Sequence, residues 1–483
     1  MIALKRADRK LSLILVLIAA VSTTLVLQAA ELGAILALAA GIGVLVAAFI
    51  LGNPYFGFYT LLGFSFFMFL PSRLVNVEFP IGFICEILTV LLLMSTLIWF
   101  KGGHRQAAGM FSSPVTVFLM IYLGYLLIEF FNPNMRSIQG AIFYYRKVFM
   151  FVIIYFVSYA LFDSVEKVVQ FVKVWLGLML FAGLYACKQQ WFGFFDFENR
   201  WLLSDPLLVG LYYQGGMFRK MSLLSDPSAF GIGCAATSVF SVVLAINARS
   251  KKVKWLLYTT GLVMVLGMLY SGTRTAYIVL GAGFALMGVM SIQSKRNLLF
   301  MAAAVVVFLG LAFGPFDSPA VNRFRTIFQA SEDASLKVRD VNRAYIRPYM
   351  LSHPMGGGLA TNGVEGEKFN PGHPLAGLPP DSGYLKIALE TGWIGLLVLC
   401  GLYFVIMQQC IYHFYSHRQP VVKSIYLAFG CSFFSMMIGH YGQVAIGQFP
   451  GIIFFFAGMA IVARLHRLPS SNKSPQINKV YPT

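Results

Sequence analysis

Apolar residues run in long unbroken blocks along this chain. Most blocks extend 15–25 residues and are separated by short polar breaks. Blocks of this length match the hydrocarbon thickness of a bilayer, which takes about 20 residues of α-helix. About fourteen spans are predicted, at 11–28, 32–51, 55–71, 80–100, 113–131, 148–162, 174–188, 227–247, 255–271, 275–292, 297–314, 382–407, 424–438 and 448–464. The expected fold class is an all-α polytopic membrane protein with about 12–14 transmembrane helices. Residues 1–314 form a first set of membrane helices interrupted by a loop at 189–226. Residues 315–381 form a long loop with short amphipathic helices near 319–330 and 335–351. Residues 382–464 form the last helices, and 465–483 a flexible polar tail.

Composition agrees with that pattern. Of 483 residues, 58% are hydrophobic and 12% charged, with a mean hydropathy of +0.73. The charged fraction is about half that of a soluble globular protein. The basic N-terminus precedes an apolar run, but no small-residue cleavage site follows, so 11–28 is read as a span rather than a signal peptide. Six cysteines fall in or beside spans without metal-ligand spacing, and no metal or cofactor is expected. The net charge of +18 reflects topology and offers no case for nucleic acid.

Lys and Arg in the short loops orient the helices. Lys101, Arg105, Arg249, Lys251, Lys252, Lys254, Lys295, Arg296, Arg418, Lys423 and the tail residues Arg464 and Arg467 fall on one side with the N-terminus. The positive-inside rule makes that side, and both termini, cytoplasmic. A second group of cations then lies outside, in the loops 189–226 and 315–381 and at the ends of neighbouring spans. Arginine's planar fork suits phosphate and diphosphate. For any one of these residues, contact with lipid headgroups is an equally ordinary role.

Four stretches carry candidate chemistry. "SGTRTAYIVLGAG" (271–283) places Arg274 between two apolar runs. "MFRKMSLLSDPSAFGIG" (217–233) places Arg219 and Lys220 before a span that Asp226 and Pro227 are suited to start. In 335–363, Arg339, Arg343 and Arg347 recur every four residues and form one stripe on a helix, while Gly356, Gly357 and Gly358 allow a close backbone approach or a turn. "PPDSGYLKIALETGWIGLL" (379–397) opens a predicted span with three charges. Asp381 is placed to cap it, and Lys386 and Glu390, one turn apart, are placed to neutralise each other.

The order of "RKMSLLSDPSAFG", "SGTR", "HPMGGG" and "DSGYLKIALETGWIGLL", over roughly 140–460, resembles the O-antigen ligase/O-antigen polymerase superfamily of bacterial inner-membrane glycosyltransferases. The resemblance implies a GT-C-like architecture and a periplasmic site. It implies inverting, metal-independent transfer of a glycan from an undecaprenyl-diphosphate carrier to an acceptor glycan or lipid. Its surroundings would be the phospholipid bilayer and other polysaccharide assembly proteins. It further implies that Arg274 contacts the diphosphate, with Arg146, Arg219 and one of Arg339, Arg343 and Arg347 as helpers. Ligases of the family read histidine and asparagine where this chain has Asp381 and Ser382. The base is then sought among Asp381, His373 and His440, and polymerisation is favoured over ligation to lipid A-core or protein. Tyr384 and Lys220 are candidates for glycan contact. The alternative of another class is a flippase for lipid-linked glycan. Such transporters place their sites at the midplane between repeats, whereas this chain shows no repeat.

Overall fold

The computed structural model describes residues 40–75, 81–101, 109–214, 216–315, 325 and 334–468. The predicted span 11–28, the start of 32–51, the predicted loop helix near 319–330 apart from residue 325, and the tail from 469 lie outside them, as does the side chain of Arg339. In chain order the helices are α1 (Ala40–Gly52), α2 (Pro54–Phe67), α3 (Leu70–Val75), α4 (Ile81–Lys101), α5 (Pro114–Ile128), α6 (Ile138–Leu161) and α7 (Val165–Trp191). Two short helices, α8 (Asp196–Leu202) and α9 (Pro206–Tyr212), lead to the hairpin β1 (Tyr213–Gln214) and β2 (Met217–Phe218). Then come α10 (Pro227–Asn247), α11 (Lys251–Ser271), α12 (Arg274–Met290), α13 (Lys295–Phe313), α14 (Ala334–Ser352), α15 (Gly363–Phe369), α16 (Gly383–Ser416), α17 (Pro420–Gly442) and α18 (Gly451–Arg464). Among the described residues, nine helical stretches are long and apolar enough to cross a membrane. The protein is an all-α polytopic membrane protein.

The chain divides into two compact units. The smaller comprises residues up to 61 and 84–105. In it a Cβ at Gly57 would lie 2.8 Å from Ile50 and 3.2 Å from Leu92, so the missing side chain lets α2 pack closely on its neighbours. The larger unit holds everything described below. Its centre is α10 and α17, whose most apolar windows are 89% and 83% buried, against half or less for the other spans. Helices apolar on every face belong in a bundle's interior. Phe240 of α10 and Phe429 of α17 meet edge to face at 4.9 Å, and Trp175 stacks on Phe454 at 4.6 Å.

At one end of this unit, Arg464 is buried and donates to the carbonyls of Tyr159 and Ala160, the last turn of α6. The sequence places Arg464 in a cytoplasmic tail. Here it satisfies helix-end carbonyls that would otherwise be orphaned. At the opposite end lie the two long loops. The loop 189–226 has its own small core of Leu202, Tyr212 and Met221. Arg73, fully inside the protein, donates to the carbonyls of Ser222, Leu224 and Ser225 and pins the strand that leads into α10.

The three charges at the start of α16 have a structural explanation. Gly392 interrupts the helix with φ 64° and ψ −166°, a region open in practice to glycine alone. Residues 383–391 therefore form a separate short helix, and 393–416 continue for about 36 Å, enough to cross the bilayer by themselves. The glycine-rich segment 353–358 lies across the break. Gly357 and Gly358 donate to the carbonyls of Leu389 and Glu390 at 2.7 and 3.0 Å, Trp393 donates to Pro354 at 3.0 Å, and Tyr125 Oη donates to Thr391 at 2.8 Å. The backbone groups freed by the break are satisfied by this loop and by Tyr125 of α5. The three glycines thus serve an approach to backbone. A Cβ at Gly392 would sit 2.0 Å from the Pro354 carbonyl. Gly392→Ala is expected to cost about 3 kcal/mol or more. A thermal shift in detergent measures this, and an unchanged melting temperature would contradict it.

Candidate functional site

The first part of the site is the turn between α11 and α12. Gly272 is left-handed (φ 59°), which lets α11 end and Thr273 start α12 within two residues. Arg219 arrives from the loop before α10 and holds this turn. Its Nε donates to the Ser271 carbonyl at 2.9 Å, and Nη2 to Thr273 Oγ1 at 2.9 Å and Ser228 Oγ at 3.3 Å. Asp226 caps α10 beneath it, accepting from the amides of Ser228 and Ala229. Arg274, half-buried, is the first residue of α12. Two arginines distant in sequence therefore flank one turn.

The second part is the end of α17. Thr275, next to Arg274, lies 3.2 Å from where a Cβ of Gly442 would stand. On the other side, Ser382 Oγ donates to the His440 carbonyl at 3.2 Å and Tyr384 Oη to the Met437 carbonyl at 2.9 Å. The imidazole of His440 occupies the place of a side chain at Gly383, where a Cβ would fall 2.0–2.4 Å from three of its ring atoms. His440 is thus buried at the turn that carries Asp381. Its Nδ1 accepts the Ile446 amide at 3.2 Å, so the neutral ring carries its proton on Nε2. From the loop 315–381, Arg343 lies 5.8 Å over the ring of Tyr441.

Two expectations for this turn are corrected. Ser382, not Asp381, is the N-cap: its Oγ accepts from the Leu385 amide. Lys386 does not pair with Glu390. Its Nζ is 2.9 Å from Glu365 of α15, and Lys147 of α6 approaches the same carboxylate at 3.8 Å. Burial raises the Glu365 pKa, but the two ammonium groups outweigh it and hold the carboxyl below its ordinary value. Glu390 is fully buried. Lys386 attracts it and the Ala360 amide faces it, but neither is in hydrogen-bond geometry with its carboxylate oxygens. Glu365 was not foreseen, since nothing in "GVEGEKF" announces partners on two other helices.

The second part borders a cavity of about 330 Å³, which His440 and Gly383 line and the Arg219/Arg274 turn does not. Its rim carries Lys147, Lys386, His440 and Gln448, with Pro380 and Gly383 beside them, and Tyr122, Tyr144 and Tyr403 also line it. Leu119, Phe151, Leu402 and Phe455 provide apolar wall. Polar groups thus occupy a cavity that is otherwise mostly hydrocarbon, the usual build of a ligand site.

The remaining candidates are more scattered. Arg146 is exposed, one residue from Lys147, with its guanidinium 5.6 Å over Phe143. Arg347 is exposed. Tyr384 spends its hydroxyl on Met437. Lys220 is buried in the 189–226 loop, 4.5 Å over Phe194, and burial lowers its pKa to about 8 against the opposing pull of Glu198. His373 is packed in the 353–378 segment. Its Nδ1 accepts the Leu375 amide at 3.1 Å, its Nε2 is 3.4 Å from Tyr349 Oη, and it does not line the cavity. Burial, then Arg136 and His353, lower its pKa, so the ring is neutral. Asn370 ties this segment to α6, accepting from the amides of Arg136 and Ser137 and donating to Ala360.

Residues 259–400 match the family model for O-antigen ligase. That segment belongs to the O-antigen ligase/polymerase superfamily. It runs from within α11 through the Arg274 turn, α14, the glycine segment and the broken helix α16. No curated protein matches the chain. The chain is therefore a multi-pass membrane protein with a segment of O-antigen ligase type. The superfamily segment contains Arg274, Lys386 and Asp381, while His440, Arg219 and Lys147 come from outside it and are brought in by packing.

Proposed function

We propose that this protein is an inverting glycosyltransferase that takes a glycan from an undecaprenyl-diphosphate carrier at the periplasmic face of the inner membrane. The observation that carries the reading is the meeting of the Arg219/Arg274 turn with the His440 and Asp381 turn at the end of α17. The acceptor hydroxyl attacks the anomeric carbon opposite the leaving group. One C–O bond forms as the bond to the diphosphate breaks, and the diphosphate departs on its lipid. That leaving group needs stabilisation of charge more than a proton, and preorganised guanidinium groups supply it. Arg274 is the diphosphate contact, and Arg219 holds its turn. Asp381 takes the proton of the hydroxyl. His440, whose Nε2 bears a proton, donates a hydrogen bond and is not the base. We favour polymerisation over ligation, because the turn departs from the ligase pattern at Asp381 and Ser382.

Purified protein in vesicles with a polyprenyl-diphosphate oligosaccharide tests this. No nucleotide sugar or ion gradient is supplied, and a chelator is present. Longer carrier-linked glycan is the expected product. Movement of the intact donor between leaflets without lengthening would instead make the protein a flippase.

A further inference from the structure

The cavity carries cations that the proposed diphosphate contact, Arg274, outside its lining, does not involve. Lys147 and Lys386 are the cations that line it, and Glu365 is the carboxylate within ion-pair distance of both, while the buried Glu390 attracts both without a hydrogen bond to either. The sharing is uneven. Lys386 is at 2.9 Å and largely covered, while Lys147 is at 3.8 Å with 46% of its side chain exposed. Both line the cavity, together with Tyr122, Tyr144 and Tyr403. An ammonium held loosely at a cavity rim, among aromatic rings, fits a sugar that brings its own negative charge.

Resting on the transferase reading, we propose that the glycan bound in this cavity is acidic, bearing a carboxylate such as that of a uronic acid, and that Lys147 contacts it. A phospholipid headgroup is the other source of an anion. The position of the rim beside Pro380 and Gly383, at the turn of Asp381, favours the glycan.

The probe is a pair of soluble oligosaccharides, one with glucuronic acid and one with that carboxyl reduced to an alcohol. Binding to the full-length protein is measured in nanodiscs of zwitterionic and of anionic lipid. The acidic member is expected to bind about tenfold more tightly at low salt, a difference of about 1.4 kcal/mol. The ratio should fall towards one in Lys147→Gln and largely survive in Lys147→Arg. Thermal stability of each variant, measured alongside, separates loss of contact from loss of fold. A ratio near one in the wild type, or one that Lys147→Gln leaves intact, overturns the proposal. A ratio present in zwitterionic discs and abolished in anionic ones assigns the rim to lipid and overturns it too. A persistent ratio in a protein that transfers neither glycan sinks the transferase reading and spares this one.

Discussion

Arg274→Ala is expected to reduce glycan transfer by about 10²–10³-fold, the usual effect of removing a preorganised group that stabilises charge on a leaving group. The turn itself should survive. Gly272 forms it, and Arg219, through the Ser271 carbonyl and Thr273 Oγ1, holds it without the Arg274 side chain. Arg274→Lys should recover little, since a point charge lacks the bidentate fork. Arg219→Ala is a different case: it frees the Ser271 carbonyl and Thr273 and should lower stability along with activity. The measurement is the chain-length distribution of surface glycan in a deletion strain carrying each variant, with membrane protein level as control. Full-length glycan from the alanine variant at normal level would leave Arg274 as a residue that only snorkels to the interface.

Asp381→Asn is expected to reduce transfer by about 10²-fold or more while thermal stability stays unchanged. The stability half of this expectation rests on Ser382. Because Ser382 Oγ accepts the Leu385 amide, the helix does not depend on Asp381 for its cap. An amide cannot accept the acceptor's proton at neutral pH, so a base role is lost with little change in shape. His440→Gln complements it. Glutamine keeps a donor near Gly383 but loses the acceptor for the Ile446 amide, so a smaller loss of transfer is expected together with lower stability. Wild-type transfer by Asp381→Asn, in the reconstituted assay, would remove it as the base.

Much of the fold is legible in the chain, for a simple reason. A helix in hydrocarbon satisfies its backbone internally, so each span is written in a local run of apolar residues. Hence the blocks at 55–71, 113–131, 227–247 and 424–438 reappear as helices with ends shifted by a few residues. The helix start at Asp226-Pro227 is equally local, a side chain accepting from amides two and three residues on. The turn at Gly272 and the identity of Arg274 could be singled out for the same reason.

What the sequence could not settle was every choice between a near partner and a distant one. Lys386 has Glu390 one turn away, yet it pairs with Glu365 from another helix, because the break at Gly392 leaves residues 383–391 beside α15. Gly356–Gly358 read equally well as a ligand loop. Only the tertiary structure shows Gly357 and Gly358 donating to a helix that Gly392 has opened, and a Cβ at Gly356 meeting that helix's backbone. His440 stands far along the chain from Asp381, and its ring fills the space that Gly383 leaves empty. Spans, their ends and the residue types suited to an anion were determined by the sequence itself, through rules that act within a few turns. Which cations share a cavity, which carboxylate they share, and which histidine joins Asp381 were decided by packing, because those contacts join separate helices and have no local signature.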